Sequence, residues 1–122
     1  MTSHEDLAGL MEQQRALLDA LSATGHDAAA VLELGTEVLR FAELEERAFF
    51  PLLPLLDPIA RAELGHEHDE ISEDLKLLEW LLATTPDSPD VEILTAAVLR
   101  RVRAHVERDG RLLRRAAGLT LS

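Results

Sequence analysis

The stretch VLRRVRAHVERDGRL, residues 98–112, decides the fold. Within it Val98, Val102, His105, Asp109 and Leu112 recur at spacings of four, three, four and three. At 3.6 residues per turn those five side chains share one face of a helix. Three of them are apolar, so the face looks into a core. His105 and Asp109 are ionisable, and such groups enter a core only when something pairs with them or binds them.

Working outward, three more segments carry the same helical period. The first opens at Ser3, with Asp6 at the capping-box distance. It presents Leu7, Leu10, Met11, Leu17, Leu18 and Leu21 before Thr24-Gly25 stops it. The second is capped by Asp27, presents Val31, Leu34, Val38, Phe41, Ala42 and Phe49, and halts at Pro51. Asp57-Pro58 restarts the chain as a cap followed by proline at the first helical position. Leu64, Ile71, Leu75, Leu78 and Leu82 form the third apolar face. After the turn-rich TTPDSPD (84–90), the fourth helix runs from near Pro89 to about Ala117.

Four helices with short breaks must double back on one another. The expected fold is therefore all-α, an antiparallel up-down-up-down four-helix bundle, in a single domain over residues 1–122. Leu and Ala dominate while aromatics are 3% of the 122 residues, which favours aliphatic helix packing over sheet. Gly35, Gly65 and Gly110 fall inside the helical pattern, where they permit close helix approach. Trp80 and the pair Phe49-Phe50 read as core or rim packing.

The formal net charge is −11, which argues against nucleic acid and anionic membranes as partners. It is unevenly spread. Residues 100–122 hold seven arginines against Glu107 and Asp109, a net of +5, which leaves −16 for residues 1–99. That asymmetry places the basic last helix against acidic neighbours, notably Glu63, Glu67, Asp69, Glu70, Glu73, Asp74 and Glu79, in preference to forming a phosphate-binding patch. No apolar run spans a bilayer, and MTSHEDLAGL lacks the features of a secretory signal, so the expectation is a cytoplasmic protein. The absence of Cys excludes disulfides, zinc ribbons and iron–sulfur clusters. An acidic bundle with exposed leucines can form a homodimer.

Each helix puts at least one polar group on its apolar face: Gln14, Glu45, His68, and the pair His105 and Asp109. Helices joined by a short loop match heights by distance from that loop. His68 is 19 and His105 is 18 residues from position 87, so the two histidines sit level. Glu45 and Asp109 each lie one turn nearer the opposite end. Gln14 falls about two turns away from Glu45. Two imidazoles and two carboxylates in a dry core suit iron, manganese or zinc, with copper disfavoured. The alternative is a buried His–carboxylate hydrogen-bond network with no ion. His4, His26 and His66 read as solvated or terminal.

These segments resemble the hemerythrin-like, or HHE cation-binding, family. ELEERAFFP (43–51) is similar to the family's acidic pair, hydrophobic couple and proline. EHDEI (67–71) is similar to its EH-x-x-I segment, and HVERD (105–109) to its H-x-x-x-E/D pair. The resemblance implies a four-helix bundle holding non-haem iron, often a carboxylate-bridged di-iron centre, that binds dioxygen or senses iron or redox state. It places Glu45, His68, His105 and Asp109 on ligands. Phe41 stands where the family has a histidine four residues before its carboxylate, and Leu64 where some members have one four before His68. On the first helix Met11 and Gln14 replace another histidine. The implied centre is therefore a single metal, iron foremost, and reversible dioxygen carriage is not expected. The other reading is a metal-free interaction or scaffold protein that kept the fold. Peroxidase, oxidase and haem-binding readings rank below both, since no nucleophile elbow, phosphate loop, dinucleotide fingerprint or c-type attachment motif is present.

Overall fold

A computed structural model describes residues 4–48, 51 and 59–121. It contains four helices in chain order: α1 (His4–Thr24), α2 (Ala28–Ala48), α3 (Ala60–Thr84) and α4 (Pro89–Leu121). α1 packs on α2, α2 on α3, α3 on α4 and α4 back on α1, with α2 and α4 also touching across the middle. This is the expected up-down-up-down bundle. No helix among the described residues is long and apolar enough to cross a membrane.

The helix ends follow from local chemistry. Gly25 takes the left-handed conformation, φ 64°, that releases the chain from α1 at little steric cost. Asp27 opens α2, its carbonyl accepting from the Val31 N–H at 2.9 Å. Ser88 caps α4: its hydroxyl accepts the Asp90 N–H at 3.2 Å, and Pro89 occupies the first helical position, where no N–H is needed. α3 opens at Ala60, with Ile59 at the cap position and no side-chain cap bond. Ser3, Phe49, Phe50, Asp57 and Pro58, and the side chains of Asp6 and Leu7, lie outside the described residues.

The expected stripes form the core. Leu10, Leu17 and Leu21 from α1 meet Val31, Val38 and Phe41 from α2, Leu64, Ile71, Leu75 and Leu78 from α3, and Val98, Val102 and Leu112 from α4. Two of the three glycines inside the helical pattern mark tight approach. A methyl group on Gly35 would come within 2.5 Å of Leu75 Cδ2, and one on Gly110 would collide with the Gln14 amide, whereas Gly65 faces open space. Two expectations are corrected. α4 continues past Ala117 to Leu121, with Gly118 inside it, because a glycine ends a helix when it takes the left-handed conformation, as Gly25 does and Gly118 does not. Trp80 is not in the core but 59% exposed, because it lies off the Leu75–Leu78–Leu82 stripe.

Candidate metal centre

Six polar or charged side chains are buried among the described residues: Gln14, Glu45, His68, Thr95, His105 and Asp109. Two are satisfied locally. The Thr95 hydroxyl donates to the Val91 carbonyl at 2.6 Å, and the Gln14 amide donates to the Val106 carbonyl at 3.2 Å. Gln14 therefore serves the α1–α4 contact, against Val106 and Gly110 on the turn of α4 that carries Asp109; the expected two-turn offset is not seen, because counting from the α1–α2 break does not set the register of α1 on α4.

The remaining four come together. Glu45 of α2, His68 of α3, and His105 and Asp109 of α4 each offer a ligand atom, and these atoms lie within 4.8 Å of one another. His68 Nε2 is 3.5 Å from Glu45 Oε1, and His105 Nε2 is 3.1 Å from Asp109 Oδ2. The two rings meet edge to face with centroids 4.6 Å apart. Glu45 and Asp109 are 0% exposed. Both oxygens of each carboxylate, and His105 Nε2, have no hydrogen-bond partner among the described residues. The His105–Asp109 approach is thus an ion-pair distance with the ring N–H not aligned on the oxygen.

The electrostatics show what such a cluster costs without an ion. Burial pushes the Glu45 carboxyl up to about 11, and the charges of Asp109, Glu46 and Glu67 add to it. Burial also pushes His68 down to about 4, helped by the nearby His105 charge and opposed by Asp109, Glu67 and Asp69. His105 goes the other way. Burial alone would depress it, but contact with Asp109 and Glu67 outweighs burial and raises it to about 9. Left to itself, the site holds a protonated Glu45, a neutral His68 and an imidazolium at His105. Divergent shifts of this kind gather at functional sites.

The donor set fits a divalent cation. Donors around one ion at about 2.1 Å lie at most about 4.2 Å apart, so atoms within 4.8 Å close onto an ion with sub-ångström adjustment. Two ionised carboxylates would carry −2, matching the ion. Phe41 and Leu64, one turn before Glu45 and His68, are 3% and 0% exposed and are packed into the core. They supply hydrocarbon where further imidazoles would be needed for a second ion.

Around the cluster lies a part that reading the sequence for ligands missed. His105 Nδ1 is 2.6 Å from Glu67 Oε1. Arg108 donates to Glu67 Oε2 at 2.5 Å and, through its other terminal nitrogen, to Glu63. Farther along, Arg101 bonds Asp74 and pairs with Glu70 at 3.7 Å. The basic face of α4 thus lies on the acidic face of α3, as the charge asymmetry implied. Glu67 holds a pKa below the usual carboxylate range, first because His105 donates to it, with burial opposing and Arg108 assisting. The signal was present in the spacing. Glu63, Glu67, Glu70 and Asp74 recur at four, three and four, opposite Arg101, His105 and Arg108 at four and three. His66, by contrast, is exposed and pairs along its own helix, with Glu70 at 2.9 Å.

The family described as Hemerythrin HHE cation binding domain matches residues 1–116. No curated protein and no solved structure matches the chain.

Proposed function

This chain belongs to the hemerythrin HHE cation-binding family, and we propose that it binds one metal ion, non-haem iron foremost with manganese or zinc as the other ions its donors accept. Glu45, His68, His105 and Asp109 are the ligands. The role is binding or sensing, not catalysis. Two imidazoles and one or two carboxylates with an open position are a donor set for Fe(II), which supplies redox chemistry when bound. The chain's own part is to hold the four donors, keep bulk water out and surrender protons from Glu45 and His105 as the ion enters.

The observation that carries this reading is the convergence of two buried carboxylates from two helices onto two imidazoles, with no hydrogen-bond partner for any of the four oxygens among the described residues. Leaving such groups unmet in a core costs about 1–3 kcal/mol each, and more when charged. An ion removes that cost for all of them together. Phe41 and Leu64 support a single ion over a pair.

Metal analysis of protein purified without a His-tag, before and after anaerobic Fe(II) loading, tests the proposal. One equivalent per chain is expected after loading. Less than a tenth of an equivalent overturns it. A second reading, a metal-free bundle acting as an interaction or scaffold protein, is favoured by the Glu67–His105 bond, which satisfies one imidazole nitrogen without any ion.

A further inference from the structure

An imidazole can present only one nitrogen to the cluster, and something must decide which. His105 lies between two regions, its side chain 1% exposed. On one side is the cluster, reached by Nε2. On the other is a groove of about 410 Å³ between α3 and α4, lined by Glu67, Glu70, Arg101, Ala104, Arg108 and Arg111, and reached by Nδ1. Glu67, on that outer side, is separated from the cluster by the ring itself. Its carboxylate is fixed at one oxygen by His105 and at the other by Arg108, which Glu63 steadies in turn.

Resting on the metal reading above, we propose that Glu67 is a positioning residue for the site. It accepts the Nδ1 proton of His105 and so aims the Nε2 lone pair at Glu45, His68 and Asp109, while Arg108 keeps Glu67 in place. A carboxylate behind a ligating imidazole fixes both its tautomer and its ring orientation. Glu67 is suited to this because its charge is held by a bidentate network and not left mobile in solvent. The same helix pair supplies a matched control. Arg101, one turn before His105 on α4, also bridges α3 and α4, through Asp74 and Glu70.

The test uses Co(II) as probe on wild type, E67A, E67Q and D74A. Affinity is read by competition with a chelator, and the histidine N–H protons by paramagnetically shifted proton NMR of the loaded protein. E67A is expected to bind Co(II) about 10–100-fold more weakly and to lose one shifted N–H signal to solvent exchange. E67Q, which keeps an acceptor but not the charge, is expected to retain that signal at a moved position with a smaller loss of affinity. D74A is expected to match wild type. Unchanged affinity and an unchanged N–H signal in E67A overturn the proposal. So does an equal loss in E67A and D74A, which would make helix pairing the cause. Should E67A fail to fold, an unmoved N–H resonance in E67Q is the overturning result. A wild-type chain that takes up no Co(II) overturns the metal reading itself, and this proposal with it.

Discussion

Raising the pH from 6.5 to 8.5 is expected to destabilise the metal-free protein and to strengthen metal binding, so the two stability curves diverge. The sign follows from which state holds more protons. Glu45 is raised from 4.5 to about 11 and His105 from 6.5 to about 9. For both groups the folded chain keeps a proton that the unfolded chain has released. Their stabilisation is complete below the unfolded pKa and is lost as pH climbs toward the folded one. At 1.36 kcal/mol per proton per unit, Glu45 contributes a fall of about 3 kcal/mol across the window and His105 about 2 kcal/mol. His68, lowered to about 4, acts with the opposite sign, but its stabilisation builds up between about 4 and 6.5 and is nearly constant above that. A fall of up to about 5 kcal/mol is large against a domain stability of about 5–15 kcal/mol. Metal uptake takes the place of the same two protons, so affinity rises by up to about 100-fold per unit while both are still held. Urea unfolding in chelator, and again with saturating Zn(II), at three pH values reads both curves. E45Q in chelator is expected to have about half the wild-type slope. Metal-free stability that rises with pH over this window would refute the argument.

Two further outcomes are expected. Replacing all four cluster groups with leucine, E45L, H68L, H105L and D109L together, abolishes metal uptake yet leaves the metal-free melting temperature unchanged or higher, because well-packed hydrocarbon is often as stable as a complete buried polar network; a fall of more than about 10 °C by calorimetry would show that the network, not the apolar core, holds the bundle. G35A loses about 1–3 kcal/mol despite a gain of up to about 1 kcal/mol in helix propensity, since its methyl group meets the buried Leu75 side chain; a more stable G35A in urea would mean Leu75 has room to move.

Much of the fold was legible because helical packing is local in origin. The period of Val98, Val102 and Leu112 requires a helix with one dry face, and the stops at Gly25 and TTPDSPD require the next helix to turn back. The heights of His68 and His105 followed from counting outward from one short loop. Two features were not legible. The end of α4 is one, because Gly118 reads as a stop and yet keeps helical backbone. The exposure of Trp80 is the other, because aromatic character alone does not tell which side of a stripe a residue occupies.

The linear chain by itself determined which residues could be ligands: four ionisable groups on apolar faces, and a family pattern with hydrocarbon at two of its ligand positions. Only the packed bundle decided that Glu45 and Asp109 meet the two rings within one ion's reach, and that Glu67 and Arg108 close in behind His105. Periodicity sets the direction in which a side chain leaves its own helix. The rotation and depth of neighbouring helices, set by close contacts such as Gly35 on Leu75 and Gly110 on Gln14, determine which side chains it meets.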